Sequence, residues 1–183
     1  MTKTTDNQNE VFAVVDENDR VVGEATRREV HKDKNLIHRS VGVAVFNSKG
    51  ELFMQQRSHT KDTEPLKWTI SCSGHVDKGD SYEQTAVREL KEELGLDERL
   101  EIETVGKFLF RAPYESEMVM LFKTVFEGPF RLHPEEIRQG KFFTQKELIG
   151  MLRRGEMELS FIGGKSLEKL GWVFPLYKKD KEE

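Results

Sequence analysis

The chain has 183 residues, of which 34% are charged and 36% hydrophobic, and its formal net charge is −4. This composition predicts a globular protein and favours neither a nucleic-acid backbone nor an anionic membrane as a partner. The single cysteine excludes an internal disulfide. The polar N-terminus and the lack of an apolar run near about 18 residues predict no signal peptide or membrane span, so we expect a cytoplasmic protein.

The N-terminal part of the chain is predicted to form mostly strands. Residues 1–10 are polar, and we expect them to be disordered. An acidic, turn-forming stretch at Asp16–Asp19 separates two apolar runs, which predicts an opening β-hairpin. One helical turn is expected at Thr26–His31. The predicted strands of this part are Val11–Val15, Val21–Glu24, Ser40–Phe46, Glu51–Gln56 and Thr69–Cys72.

The stretch from Gly74 to Leu96 contains the clearest helix signal. Ser81 is a good N-cap, and Gln84 follows it with the spacing of a capping box. Gly95 suits the C-cap, because a left-handed conformation costs glycine little. The apolar stripe of this helix consists of Ala86, Val87, Leu90 and Leu94. These features predict a helix that begins after Ser81 and ends just before Gly95.

The remainder of the chain alternates between strands and helices. Two long strands are predicted, followed by a short strand, a helix capped by Thr144 and a weaker C-terminal helix. Their ranges are Glu101–Phe110, Glu117–Phe126, Lys141–Phe143, Gln145–Arg153 and Phe161–Leu170. Gly163 and Gly164 interrupt the start of the last helix. We expect a single domain over residues 11–178, with helices on both sides of a mixed sheet, and a charged tail at 179–183.

Three glutamates share one face of the central helix. Glu89, Glu92 and Glu93 are spaced i, i+3 and i+4. Hard divalent cations such as Mg²⁺ require oxygen ligands of this kind. The alternative is a solvated acidic face that Arg88 and Lys91 balance. Arg88 lies one turn before Glu92, where an ion pair relieves part of the repulsion.

The residues around this face resemble the Nudix box, G-x5-E-x7-R-E-U-x-E-E-x-G-U, in which U is a bulky aliphatic residue. The matching positions are Gly74, Arg88, Glu89, Leu90, Glu92, Glu93, Gly95 and Leu96. Asp80 is the departure, because the family usually has Glu there. The resemblance implies an α/β/α sandwich with a mixed central β-sheet, here with an N-terminal β-hairpin extension. It also implies Mg²⁺ held by Glu89, Glu92 and Glu93, with the Gly74 carbonyl as a further ligand.

From about Val14 to Leu148 the chain also resembles type I isopentenyl-diphosphate isomerases, which are Nudix-fold enzymes. The resemblance is carried by Leu36–Ser40, by Trp68–His75 and by Tyr114–Glu117. It implies a second metal site with three histidines and two glutamates. The matching positions are His31, His38, His75, Glu115 and Glu117. Such ligands suit Mn²⁺ or Zn²⁺ as well as Mg²⁺. The alternative is that these residues are ordinary surface and loop positions.

Two departures argue against isomerase chemistry. The cysteine that precedes the Gly-His pair in the isomerases is replaced by Ser73, and Cys72 is expected to point to the opposite face of an extended chain. The complete R-E-U-x-E-E core is the other departure, because the isomerases typically carry an eroded version.

The leading hypothesis is a Mg²⁺-dependent Nudix hydrolase that cleaves the diphosphate linkage of a nucleoside diphosphate derivative or related small molecule. The alternatives are an enzyme acting on isoprenoid diphosphates and a non-catalytic ligand sensor. Arg88 is expected to orient a carboxylate. The candidates for the general base are Glu89, Glu93, Glu135 and Glu136.

Overall fold

The computed structural model describes residues 4–96 and 100–173. The charged tail predicted at 179–183 lies outside these residues. In chain order the strands are β1 Val11–Val15, β2 Val21–Thr26, β3 Ile37–Phe46, β4 Leu52–Arg57, β5 Trp68–Thr69, β6 Cys72–His75, β7 Glu103–Arg111, β8 Ser116–Val125 and β9 Ile137–Phe143. The helices are α1 Arg27–Val30, α2 Tyr82–Leu94, α3 Gln145–Arg153 and α4 Phe161–Lys169.

Strand β3 organises a mixed sheet. It pairs antiparallel with β1, β4 and β6, and parallel with β8 along its whole length. Strand β8 in turn pairs with β7, and β4 pairs with β5 and β9. The hairpin β1–β2 extends the sheet at its N-terminal end, as predicted. None of the helices in the described part of the chain has the length and apolar composition that crossing a bilayer would require.

Helices cover both faces of the sheet because β3 alternates its side chains between them. Val43 and Val45 face α2 and pack with its Leu90. Ala44 belongs to the other cluster, which contains Leu148 of α3 and Leu167 of α4 among its buried members. The predicted α/β/α sandwich with a mixed central sheet is therefore confirmed.

Helix α2 has the predicted bounds and caps. The Ser81 hydroxyl accepts a hydrogen bond from the Gln84 amide at 3.2 Å. The Gln84 side chain accepts one from the Ser81 amide at 2.9 Å, which completes the capping box. Gly95 has φ of +70° and ends the helix in the left-handed region. The helix therefore presents its glutamates at fixed positions beside β6.

The strand predicted at Thr69–Cys72 is wrong in its bounds, because the chain changes partner there. Strand β5 pairs with β4, and β6 pairs with β3. Between them Ser71 bridges the two partner strands: its hydroxyl accepts from the Val45 amide at 2.7 Å and donates to the Phe53 carbonyl at 2.5 Å. The Ser71 hydroxyl thus links β3 to β4 in place of a direct backbone hydrogen bond between them.

Three further predictions need correction. Strand β9 begins at Ile137 rather than at Lys141, because β4 provides a partner along the longer stretch. Helix α4 is continuous through its glycines. Gly163 is explained by packing: a Cβ at this position would lie 2.9 Å from the Thr69 Cα, so glycine is needed for the helix to approach β5. Residues 4–10, which we expected to be disordered, contact α1 and the loop after β4.

Candidate active site

A cavity of about 380 Å³ lies between α2, β6, the start of β8 and the loop after β4. Glu89 and Glu93 of α2 line one side of it, and His75 and Glu115 line another. Both sets of residues that the sequence singled out therefore have members that line one shared cavity. Among the described residues, the lining is predominantly charged and polar.

The first set is held by a close contact between α2 and β6. A Cβ on Gly74 would lie 2.1 Å from Oε1 of Glu89, so glycine is needed to admit the carboxylate against the strand. Glu93 lies one turn further on, and its Oε2 accepts a hydrogen bond from Nε2 of Gln55 at 2.8 Å. Glu89 and Glu93 are 9% and 5% exposed. The fold thus places two buried carboxylates beside the Gly74 backbone.

Burial sets the protonation of these two carboxylates. It raises the pKa of Glu89 to about 8, although the nearby Arg88 guanidinium opposes the shift. Burial also raises the pKa of Glu93 well above its usual value, and the neighbouring charge of Glu89 adds to the shift. Two buried acidic groups that cannot both ionise easily are suited to binding a divalent cation, because the cation supplies the missing positive charge.

Arg88 and Glu92 lie at the rim of this set. Nη1 of Arg88 is 2.9 Å from Oε1 of Glu89 and donates to Oε2 of Glu92 at 3.1 Å. Its Nη2 donates to the His75 carbonyl at 3.1 Å. Arg88 therefore connects α2 to β6 and contacts two of the three glutamates. The Glu92 side chain is 58% exposed, so it is nearer to solvent than its two neighbours.

The second set converges from four separate segments of the chain. The ligand atoms of His31, His38, His75 and Glu115 all lie within 4.8 Å of one another. His31 follows α1, and His38 lies on β3. Strand β6 brings His75 opposite Ser40 of β3, and β8 runs parallel to β3 from Ser116 onward. Strand pairing, rather than proximity in sequence, assembles this cluster.

Two histidines of the cluster have the charge state that metal ligands require. Burial, with nearby His31 and Arg27, lowers the pKa of His38 to about 3. Burial and the charge of Arg27 lower the pKa of His75 well below its usual value. These two imidazoles are therefore neutral at physiological pH, and neutral imidazole is the form that binds metals.

The distances in the cluster also fit a bound ion. His31 Nε2 lies 3.0 Å from Oε2 of Glu115, and neither ring nitrogen of His38 has a hydrogen-bonding side-chain partner. Neighbouring ligands about 2.0–2.2 Å from one ion are roughly 2.8–3.6 Å apart, so the spacing of this pair suits a shared metal. Glu117 is buried and pairs in register with His38, but it does not belong to the group of four converging residues.

Several residues in or beside the cavity were not found from the sequence. Arg27 is buried; its Nε and Nη2 donate to Asp62 at 3.0 and 3.2 Å, and its Nη1 lies 3.1 Å from Nδ1 of His75. Asp62 Oδ2 is also 3.6 Å from Nδ1 of His31. The one available signal was the spacing of Arg27 four residues before His31. Nothing local pointed to Asp62 or Gln55.

The other residues considered for catalysis differ in whether they line the cavity. Glu136 lines the cavity, and its Oε2 accepts a hydrogen bond from Nζ of Lys61 at 2.6 Å. Glu135 is exposed and is not among the lining residues. Ser73 lines the cavity, whereas Cys72 is fully buried in the core beneath α2. Burial and then Glu93 raise the pKa of the Cys72 thiol well above its usual value.

Comparison with known proteins gives consistent results. Residues 36–160 match the family described as NUDIX domain. The chain is 37% identical over 133 residues to the Nudix hydrolase PA4841 of Pseudomonas aeruginosa, covering 73% of this chain and 78% of that protein. It is 34% identical over 166 residues to the chloroplastic isopentenyl-diphosphate Delta-isomerase II of Arabidopsis thaliana, covering 78% of this chain.

The match spans 58% of that isomerase, so little more than half of its length is represented. Among solved structures, DR0079 from Deinococcus radiodurans aligns with a TM-score of 0.75 at 24% identity. That alignment covers 90% of this chain and 99% of the other. At this level of identity the likeness concerns the fold alone.

Proposed function

This chain belongs to the Nudix family of diphosphate hydrolases, and from that premise we propose that it is a Mg²⁺-dependent enzyme. Its proposed substrate is a small molecule with a diphosphate linkage, such as a nucleoside diphosphate derivative. The observation that carries the proposal is the buried pair Glu89 and Glu93 beside Gly74, on one side of an open cavity. We further propose that it acts in the cytoplasm. We also propose that it does not act on nucleic acid, and the net charge of −4 supports this second point.

Glu89 and Glu93 would hold the ion, together with the Gly74 carbonyl and with Glu92 at the rim. When bound, Mg²⁺ or Mn²⁺ neutralises phosphate oxygens and lowers the pKa of a coordinated water. The cluster of His31, His38, His75 and Glu115, together with Glu117, is the proposed second metal site. The neutral imidazoles of His38 and His75, and the unpartnered ring nitrogens of His38, support this proposal.

The basic residues of the cavity suit an anionic substrate. The cavity is lined by Arg27, Arg57 and Lys61, and Arg27 also contacts His75 of the histidine cluster. Arg57 is fixed by donating to the Thr63 carbonyl at 3.0 and 3.2 Å from two of its nitrogens. These cations attract and orient diphosphate, while a lining carboxylate accepts the proton of the attacking water. Glu89, Glu93 and Glu136 are the candidates for that base.

The test is phosphate or diphosphate-product release from a panel of nucleoside diphosphate derivatives and isoprenoid diphosphates, with and without Mg²⁺. We expect cleavage of at least one compound that stops when EDTA removes the metal and resumes when Mg²⁺ is restored. Binding of panel members without turnover at any metal concentration would instead indicate a ligand sensor and would refute the proposal.

A second candidate is an isoprenoid-diphosphate isomerase or a related enzyme. It is favoured by the convergence of His31, His38, His75 and Glu115 and by the similarity to plant isomerases. It is disfavoured by the replacement of the expected cysteine with Ser73 and by the burial of Cys72 away from the cavity. Exchange between isopentenyl and dimethylallyl diphosphate, followed in the presence of Mn²⁺ and Mg²⁺, decides between the two functions.

A further inference from the structure

The N-terminal residues 4–10, which we call the N-terminal strap, form part of the cavity wall. Thr5, Asp6, Asn7 and Glu10 are among its lining residues. The strap is fastened to α1, because the Arg27 amide donates to the Glu10 carbonyl at 2.8 Å and the Arg28 amide to the Gln8 carbonyl at 3.2 Å. The strap also reaches the loop after β4, where Nε2 of Gln8 donates to Asp62 at 2.9 Å.

Asp6 is the most deeply buried side chain of this strap for which an ion pair is seen, and its exposed fraction is 4%. Its Oδ1 accepts from Nζ of Lys61 at 2.5 Å, and its Oδ2 accepts from the Asp62 amide at 2.8 Å. Nη2 of Arg27 lies 3.4 Å from Oδ1. The Asp6 carboxylate thus contacts both Lys61 and Arg27.

Lys61 continues the network into the cavity. Its side chain is only 9% exposed, and its ammonium group also donates to Oε2 of Glu136 at 2.6 Å. The ammonium therefore lies between two carboxylates, one from the strap and one from a candidate base. A lysine side chain is long and flexible, so the buried Asp6 carboxylate restricts the positions that the Lys61 ammonium group can adopt.

We propose that Asp6 is a positioning residue of the active site, which holds Lys61 beside Glu136 and makes the N-terminal strap a functional part of the enzyme. Asp6 acts through Lys61 and does not itself contact the reacting atoms. The positioning of Lys61 is independent of the reaction, whereas its consequence for turnover rests on the proposed hydrolase function.

The first experiment measures the position of Lys61 without any substrate. Lysines are acylated briefly with acetic anhydride and quantified by mass spectrometry in the wild type, in Asp6→Asn and in Glu17→Gln. Glu17→Gln is the matched control, since it removes the same charge from an exposed ion pair with Arg111. We expect Lys61 to be protected in the wild type and the control. In Asp6→Asn its reactivity should rise toward that of Lys78, whose side chain is 64% exposed. Unchanged protection of Lys61 in Asp6→Asn would overturn the inference.

The second experiment is a double-mutant cycle on turnover of the best substrate. Asp6→Asn should lower kcat/KM by about tenfold, the lower end of what removal of a supporting partner costs at metal sites. In a Lys61→Met background the same change should have no further effect, and Asp6→Glu should restore part of the loss. Equal losses in both backgrounds would show that Asp6 does not act through Lys61. If no variant turns over any substrate but Lys61 is unprotected in Asp6→Asn, the proposed hydrolase fails and the positioning of Lys61 stands.

Discussion

Glu93 illustrates how single side chains are adapted to this site. It is 5% exposed and accepts one hydrogen bond from Gln55, yet burial and Glu89 strongly disfavour its charged form. A residue buried only for packing would be apolar, because an isolated buried carboxylate costs several kcal/mol, roughly. The arrangement is explained if a cation joins Glu93 and Glu89, which is the role that we propose.

Replacement of Glu93 by Gln tests this role. The amide is nearly isosteric and still accepts from Gln55, so the fold should be retained, but the charge needed for the metal is lost. We expect kcat to fall by at least about 100-fold, since even supporting partners of metal ligands contribute about 10- to 100-fold. The matched control is Glu83→Gln, which changes an exposed glutamate of the same helix. A variant with near wild-type turnover and an unchanged Mg²⁺ requirement would refute the assignment.

Glu89 makes the stability of the metal-free protein depend on pH. Its pKa is about 8 in the folded state and 4.5 ordinarily, so between these values the folded state binds more protons than the unfolded state. The stability of the metal-free protein should therefore be highest below about pH 4.5 with respect to this group and should decrease as pH rises toward about 8. The slope from one such group is at most about 1.4 kcal/mol per pH unit.

Thermal unfolding in EDTA at a series of pH values measures this dependence. Glu89→Gln should reduce the slope, because the amide does not titrate, while the buried Glu93 still contributes a slope of the same sign. Saturating Mg²⁺ should also flatten it, because the cation stabilises the ionised carboxylate. Equal slopes in the metal-free wild type and in metal-free Glu89→Gln between about pH 5 and 8 would contradict the cause assigned to the shift.

At the scale of elements, the bounds of α2 and the orientation of its glutamates have different causes. Its caps determine where it begins and ends, while its contact with β6 at Gly74 determines where Glu89 points. The caps could be predicted, because capping boxes and C-terminal glycines are local signals. The contact with Gly74 could not be predicted from periodicity, since it depends on how β6 pairs with β3.

This separation predicts the effect of Ser81→Ala. Loss of the N-cap should lower the free energy of unfolding by about 1 kcal/mol, measured by urea denaturation. Glu89 and Glu93 lie two and three turns further along the helix, so kcat/KM well below the melting temperature should stay within about twofold of wild type. A large loss of activity from this substitution would show that the cap also positions the carboxylates.

At the scale of the whole molecule, the histidine cluster links segments that are far apart in sequence. His31, His38, His75 and Glu115 come from the end of α1, from β3, from β6 and from the loop before β8. A metal bound only when these segments are assembled stabilises the folded state, by about 2.7 kcal/mol at a concentration of 100 Kd. The cluster is therefore expected to couple metal binding to global stability.

Mn²⁺ titration followed by thermal unfolding checks this coupling. We expect Mn²⁺ to raise the melting temperature of the wild type and of the control His59→Gln, whose side chain lies in an exposed loop. In His38→Gln the effect should be smaller, because the most buried ligand of the cluster is lost while the Glu89 and Glu93 site remains. If His38→Gln and His59→Gln respond equally, the four residues do not form a metal site.

The sequence by itself determined α2, its caps and the shared face of Glu89, Glu92 and Glu93, because helix geometry relates residues only three or four positions apart. It also supplied the motif from which the family, and with it the α/β/α sandwich, was predicted. Only the tertiary structure decided which of these glutamates are buried, that His31, His38, His75 and Glu115 converge, and that Asp6 reaches Lys61. Those relations depend on strand pairing and loop packing between distant segments, and no local pattern encodes that register.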